Sequence, residues 1–318
     1  MSLHNKEFIT ILLPTYNSGK YISQAIWSIL NQTFKEFEFL IIDDGSTDNT
    51  EIVVKSFEDK RIQYVKTEHT GLTNTLNYGL GIAKYDWVAR MDADDISHPR
   101  RLDLQMNYLS ENKDIDWISS WYAVFDNNIE YIIKLPKDSK TISEKLVLTS
   151  SVCFPGSIFK KNMILKNGGF EGEVFEDYKL LLKIKDHCNF YNIQEVLYFQ
   201  RKHKNSLSRK NYEQKRTIIY NIQAPYFLNL KCEFNLKNDR QIFILKGWRE
   251  FLFGNKNKCR EFWNHLGIYL LLNPKIILMY ILTFLSEGKF KNIRSIGFKL
   301  MYFYSPVINS QKFDKFLK

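Results

Sequence analysis

The sequence predicts an α/β layered domain with a mainly parallel sheet, followed by a C-terminal helical, basic region. Three observations carry this. Residues 8–91 alternate short apolar, β-branched runs with segments of helical apolar spacing, in the order β-α-β-α-β-α-β, which right-handed crossovers turn into a parallel sheet. Polar clusters sit directly behind three of the apolar runs. Charge also divides the chain. Residues 201–318 hold 23 Lys+Arg against 7 Asp+Glu, a balance of +16, while residues 1–200 hold 22 against 28, a balance of −6.

The elements follow in order. FITILLP (Phe8–Pro14) is apolar throughout, as a strand covered on both faces requires. SGKYISQAIWSILNQ places Tyr21, Ile22, Ala25, Ile26, Ile29 and Leu30 at helical spacing. FEFLIID (Phe37–Asp43) is a second strand. Ser46 and Asp48 are candidate caps for a helix over Thr50–Phe57. RIQYVKT reads as a third strand, LTNTLNYGLGIAK as a helix and YDWVARM (Tyr85–Met91) as a fourth strand. Pro99 then opens a helix, RRLDLQMNYLSEN. DIDWISSWYAVFD reads as one or two strands, TISEKLVLTS as a helix, SSVCFPGSIFKK as a strand or turn, FEDYKLLLKIKDH as an amphipathic helix and NFYNIQEVLYFQRKH as two short strands.

From about Asn205 the chain is helical, basic and aromatic, with no linker to mark a boundary. We place it after residue 208, giving domains 1–208 and 209–318. The most apolar run, LGIYLLLNPKIILMYILTFL, is interrupted by Pro274 and Lys275, whereas a spanning helix wants about 20 consecutive apolar residues. It reads as buried helices of a small bundle, or as an interfacial element with Lys and Arg toward lipid headgroups. No repeat or low-complexity tract is present.

With 318 residues, 44% hydrophobic and 25% charged, the chain is folded rather than disordered. Residues 1–7 are polar and read as no export signal. Four scattered cysteines then read as buried free thiols in a reducing compartment. The expected location is the cytoplasm or the inner face of the cell membrane. The net charge of +10 suits an anionic partner: nucleic acid, a phosphorylated substrate or an anionic membrane surface.

In an open parallel sheet the carboxyl ends of the strands share one edge, and ligands bind there. Pro14–Asn17, Asp43–Asp48 and Asp92–Asp95 should therefore converge on one crevice. Asp43, Asp44, Asp92, Asp94 and Asp95 would repel one another unless something positive sat among them. An oxygen-rich site of this kind suits Mg²⁺ or Mn²⁺ held by carboxylates together with substrate phosphates. Singly, each cluster also reads as ordinary punctuation: turn and cap residues at 43–48, a strand-to-helix turn at 14–17, and a solvated turn before Pro99. Their shared placement behind apolar strands favours the metal reading.

At these residues the sequence resembles a known family. ITILLPTYNSGKYISQAIWSILNQTFKEFEFLIIDDGSTDNT, followed by GLTNTLNYGLGIAKYDWVARMDADDISHPRRLDLQ, is similar to the family-two inverting glycosyltransferases of the GT-A fold. The likeness is dense over residues 8–110 and looser to about 208. It implies a nucleotide-binding fold and site roles by position. Pro14, Thr15 and Tyr16 would line the base pocket, with Tyr16 against uracil, and Asn17 would belong to the same nucleotide-binding element. Asp44, with Asp43 behind it, would bond uracil or ribose. Asp92 and Asp94 match the family's D-x-D motif, Asp94 as direct metal ligand and Asp92 toward ribose and metal. Asp95 would face the donor sugar or brace the loop, and Arg90 would organise these carboxylates.

The resemblance further implies Asp177 as catalytic base with Glu176 beside it, although acids at a helix start also simply favour its dipole. Arg201, His203 and Ser208 would reach diphosphate or metal, and Gly156–Ser157 would approach the acceptor. The Gln-x-x-Arg-Trp element of processive synthases is absent, which speaks for adding one sugar. The implied reaction moves a sugar from a UDP-sugar to a glycan or lipid-linked glycan in O-antigen or capsule assembly. Two other readings stay open. A nucleotidyltransferase would need a Gly-rich phosphate loop, which LLPTYNSGK lacks. A nucleic-acid-binding protein could use the +16 half, though no recognised module appears there.

Overall fold

The computed structural model describes residues 7–203, 212–228, 239–290, 293–294 and 303–306. Strands β1 (Ile9–Thr15) and β2 (Phe37–Asp43) are buried at every position and pair in parallel, Ile9 opposite Phe37 and Thr15 opposite Asp43. Thr10 and Glu38, buried at the start of these strands, satisfy one another. The Glu38 carboxylate accepts from the Thr10 hydroxyl, the Gln63 amide and the Lys84 N–H, as a buried acid must. β3 (Ile62–Lys66) and β4 (Trp87–Arg90) add in parallel on either side.

The helices follow the apolar spacing. α1 (Ile22–Leu30) buries Ile22, Ala25, Ile26 and Ile29. α2 (Thr50–Lys55) stops short of Phe57. Of the two expected caps, Asp48 Oδ1 accepts the Thr50 N–H at 2.9 Å, while Ser46 Oγ instead accepts the Asn17 N–H at 2.9 Å. α3 (Leu72–Ile82) and α4 (Arg101–Glu111) complete the expected set.

Past β4 the sheet turns antiparallel. β6 (Trp117–Phe125), β7 (Ile129–Lys134) and β8 (Ile158–Lys160) give the order β7-β6-β8-β4-β1-β2-β3. β8 runs antiparallel to β4 and to β6, and β7 antiparallel to β6. Between them fall α5 (Ser139–Leu146) and α6 (Lys161–Lys166). After α7 (Glu176–Ile184), the two short strands expected at 189–203 are one twelve-residue strand, β9 (Phe190–Arg201). It runs parallel to β6, with register shifts around Trp121. Such irregularities bend a strand without ending it. β9 also pairs with the short β5 (Ile96–Ser97), Ile96 opposite Phe199 and Ser97 opposite Tyr198. The sequence pattern gave no sign of that pairing, and it brings residues 201–203 beside the acidic cluster.

The chain divides into two units. One comprises Met1–Ser143, Ser151–His203 and Ser305–Lys318, the other Glu144–Ser150 and Lys204–Tyr304. The boundary placed after residue 208, like Ser208 and Cys232, lies outside the described residues. The second unit holds α8 (Tyr212–Leu228), α9 (Asp239–Leu252), α10 (Lys256–Asn264) and α11 (Pro274–Leu282). Its core is aromatic. Trp263 packs on Trp248 and Phe251 at centroid distances of 5.5 and 6.0 Å, and Phe290 meets Phe251 at 5.1 Å. Asn255 and Asn273 cap α10 and α11, accepting the Asn257 and Ile276 N–H groups, and Pro274 fills the first turn of α11, where its missing donor costs nothing. No described helix is long and apolar enough to cross a membrane. Cys153, Cys188 and Cys259 are buried free thiols.

Candidate active site

The carboxyl ends of β1, β2 and β4 carry the three polar clusters to one edge, with Thr15 opposite Asp43 and Leu12 opposite Arg90. Pro14 stays in the strand, opposite Ile42. Thr15 is buried, and among the described residues its hydroxyl has no partner, a signature of a group kept for a ligand or water. Tyr16 stacks on His69, the ring centroids 4.1 Å apart. Asn17 holds a left-handed backbone, φ 49°, which Asn tolerates better than most residues. Its Oδ1 accepts the Thr47 and Asp48 N–H groups at 2.8 and 3.3 Å. Through these bonds Asn17 ties the first polar loop to the second.

Asp43 is likewise a brace. It is fully buried, with Oδ1 accepting the Ser46 N–H at 2.7 Å and Oδ2 the Tyr64 hydroxyl at 2.5 Å. Asp44 accepts the Thr70 and Gly71 N–H groups at 2.7 and 3.0 Å and meets His69 Nδ1 at 2.8 Å. It thus joins β2 to the loop after β3.

Asp92, Asp94 and Asp95 each offer an oxygen, all within 4.8 Å of one another. Dehydration raises the Asp92 carboxyl above its usual range. Arg90 opposes this, while Asp94 and Asp177 add to it. Burial, then Asp94 and Asp92, push Asp95 up further. Protein donors compensate only in part. Arg90 Nη2 lies 2.6 Å from Asp92 Oδ1, and His203 Nε2 lies 2.8 Å from Asp94 Oδ2. Arg201 donates its backbone N–H to Asp95 Oδ1 at 2.7 Å and its Nε–H to the Asp94 carbonyl at 2.8 Å. Carboxylates that strain toward protonation yet offer converging hard oxygens fit a divalent cation.

Asp177 and Glu176 start α7, preceded by Phe175 in a left-handed conformation (φ 57°). A non-glycine residue there stores backbone strain of the kind found at functional sites. Burial raises both carboxyls. For Glu176 the neighbouring Asp177 charge adds to this and the result is about 7. Asp177 is held back by the Tyr178 N–H and Arg90.

Three participants were missed. Tyr198 reads as an ordinary core tyrosine, yet its hydroxyl accepts the Asp92 N–H at 3.3 Å and donates to the Asp95 carboxylate. Arg101 is fully buried beneath the cluster. It donates to Ser97 Oγ at 2.7 Å and the Arg90 carbonyl at 3.3 Å, with its guanidinium 5.8 Å from the Tyr198 ring centre. His69 was unmarked because a lone His carries no pattern. Gly156 makes room for the Tyr198 ring, which a Cβ would meet at 3.0 Å. The fully buried Ser157 accepts from Trp117 Nε1 at 2.8 Å and donates to the Cys153 carbonyl at 2.8 Å. Both residues brace Tyr198 and the strand beside it.

The model of the family described as Glycosyl transferase family 2 matches residues 10–166. The O-antigen biosynthesis glycosyltransferase WbnJ of Escherichia coli is 34% identical over 238 residues, 72% of this chain and 90% of that protein. The UDP-Gal:alpha-D-GlcNAc-diphosphoundecaprenol beta-1,3-galactosyltransferase of E. coli is 32% identical over 212 residues, 63% of this chain and 76% of that one. Among solved structures, S. aureus TarS 1-349 in complex with UDP-GlcNAc matches with a TM-score of 0.62 at 20% identity, covering 93% of this chain and 92% of the other. The chain belongs to glycosyltransferase family 2 and is a glycosyltransferase of the GT-A fold. That assignment replaces the nucleotidyltransferase and nucleic-acid-binding readings.

Proposed function

We propose that the crevice transfers one sugar from a UDP-sugar to a hydroxyl of a lipid-diphosphate-linked glycan, with inversion at the anomeric carbon, in O-antigen or capsule assembly. The observation that carries the reading is the gathering of Arg90, Asp92, Asp94 and Asp95 at one sheet edge, within electrostatic reach of Asp177. The named reaction of the E. coli galactosyltransferase supports the donor and acceptor classes, and the UDP-GlcNAc held by TarS supports the nucleotide.

Tyr16 offers the uracil a ring to stack on. The Thr15 hydroxyl and Asp44 supply polar partners for base and ribose, and Pro14 shapes the wall. Asp177 takes the proton of the acceptor hydroxyl as its oxygen attacks the anomeric carbon, and the bond to the diphosphate breaks, releasing UDP. General-base help of this kind is worth ~10²–10⁴-fold. Glu176, next to it, faces the acceptor. Asp94 and Asp92 would hold Mn²⁺ or Mg²⁺, which supplies Lewis-acid stabilisation of the charge on the departing diphosphate. Arg90 opposes protonation of Asp92, His203 and Arg201 orient Asp94 and its loop, and Asp95 braces the loop beside the donor sugar.

The test is a panel of nucleotide sugars assayed for thermal stabilisation and slow hydrolysis, with manganese and with chelator. Stabilisation by UDP-sugars that needs the metal is expected. Preference for a different nucleotide would overturn the donor, and no response to any nucleotide sugar would overturn the whole reading.

A further inference from the structure

Large exposed apolar side chains are distributed unevenly. In the first unit they are dispersed: Phe8, Tyr16, Trp27, Ile52, the α3 pair Tyr78 and Ile82, Leu165 and Val174. Isolated residues of this kind are ordinary. In the second unit six fall within seventeen residues: Ile268, Leu271, Leu272, Leu278, Ile281 and Phe284, with Ile268 and Leu272 each 71% exposed and Phe284 63%. The Gly267–Leu270 turn packs on α11, so the six lie on or directly beside two elements that meet. Along α11 the faces separate. Ile276 and Met279 point into the core, while Leu278 and Ile281, three residues apart, point outward on the other face. The apolar run 266–285 is therefore neither a wholly buried bundle element nor a spanning helix. It is a ridge.

Its surroundings are basic. Residues 262–286 contain no Asp or Glu; Glu261 and Glu287 flank them, the latter 4.0 Å from Lys256, against the four cations Lys256, Arg260, Lys275 and Lys289. The Arg260 guanidinium stacks on Phe284, 4.6 Å from the ring centre, and donates to the Thr283 carbonyl at 2.9 Å. Lys256 Nζ reaches the Leu285 carbonyl at 2.7 Å. Lys275 on α11 and Lys289 beyond it are exposed. An apolar strip rimmed by cations matches an anionic bilayer surface, where aliphatic and aromatic side chains enter the acyl boundary and Lys and Arg meet headgroup phosphates.

We propose that the ridge formed by the turn at 267–272, α11 and Phe284 docks this protein on an anionic lipid surface, with Leu271, Leu272, Leu278, Ile281 and Phe284 inserted and Arg260, Lys275 and Lys289 against headgroups. It deepens the lipid-linked-acceptor reading above by naming the element that meets the lipid. A second copy of this chain is the competing occupant.

The test is flotation of the full chain with vesicles of phosphatidylcholine alone, and of equal parts phosphatidylcholine and phosphatidylglycerol, at low and high salt. Wild type should float with the anionic vesicles only, and less at high salt. The triple variant Leu272→Ser, Ile281→Ser, Phe284→Ser removes only exposed side chains. It should lose about tenfold or more of that binding while keeping the wild-type thermal midpoint and sugar transfer to a short-chain, water-soluble acceptor. Lys275→Glu should weaken anionic binding and its salt dependence. Failure of wild type to float, or undiminished flotation of the triple variant, overturns the proposal. So does sedimentation showing a dimer that the triple variant dissociates without any vesicle binding. If flotation behaves as expected but no sugar is transferred, the functional reading fails and the docking surface stands.

Discussion

Arg90 Nη2 lies 2.6 Å from Asp92 Oδ1, with the guanidinium buried and the carboxylate a third exposed. The pair spans the floor of the crevice: its cation is sealed in the sheet and its anion faces the ligand side. Arg90 is thus a fixed charge beneath several carboxylates, and it holds down the pKa of Asp92, Glu176 and Asp177 alike. Replacing it by methionine should cost about 2 kcal/mol in the metal-free protein near neutral pH, below the roughly 3–5 kcal/mol for a fully buried pair because the carboxylate is partly solvated. Urea unfolding checks this. The cost should shrink at about pH 5, where the orphaned carboxyls take up protons.

Asp177→Asn should lower the rate of sugar transfer by ~10²–10⁴-fold and leave manganese and UDP binding within about twofold of wild type, since the amide keeps the shape of the carboxyl and only its basicity is gone. Product formation together with calorimetry separates the two. Transfer at the wild-type rate would show that another group accepts the proton.

The stability of the metal-free protein should fall as pH rises. Glu176 has a folded-state pKa of about 7 against an ordinary 4.5, and Asp92, Asp95 and Asp177 shift the same way. A raised acid binds its proton more tightly in the folded state. Its contribution is complete below the unfolded value and disappears as pH passes the folded one. Thermal midpoints measured between about pH 5 and pH 8 should decline, and Glu176→Gln should flatten that decline. A midpoint independent of pH over this range would contradict the raised values.

The same charge argument separates the triad by condition. Asp95→Asn removes a buried like charge, so without metal it should stabilise the protein by about 1 kcal/mol. Asp94→Ala should abolish detectable manganese binding in the presence of UDP, and Asp92→Asn should weaken it at least tenfold. Calorimetry and thermal shifts with and without manganese distinguish these outcomes.

Much of the site was legible in the chain itself. Strands β1, β2 and β4 are apolar enough to identify, and a parallel sheet sends their carboxyl ends to one edge. PTYN, DDGSTD and DADD had to meet for that reason, whatever their sequence separation. What each residue does there was less legible. Asp43 and Asn17 carry the right chemistry for a ligand, but their oxygens are spent on Ser46, Tyr64, Thr47 and Asp48.

The sequence by itself determined the layered α/β half, the convergence of three acidic or polar loops, and the basic, apolar character of the C-terminal half. Local spacing and composition encode these, and they need no knowledge of distant pairing. Only the tertiary structure decided that β9 lies against β5 and β6 in a register bringing Tyr198, Arg201 and His203 onto Asp92, Asp94 and Asp95, more than a hundred positions earlier in the chain. Likewise only packing decided which side of α11 faces the core and which is left as the ridge. Register and burial are properties of the partner surface as much as of the segment, and a one-residue slip would reverse every side chain of a strand.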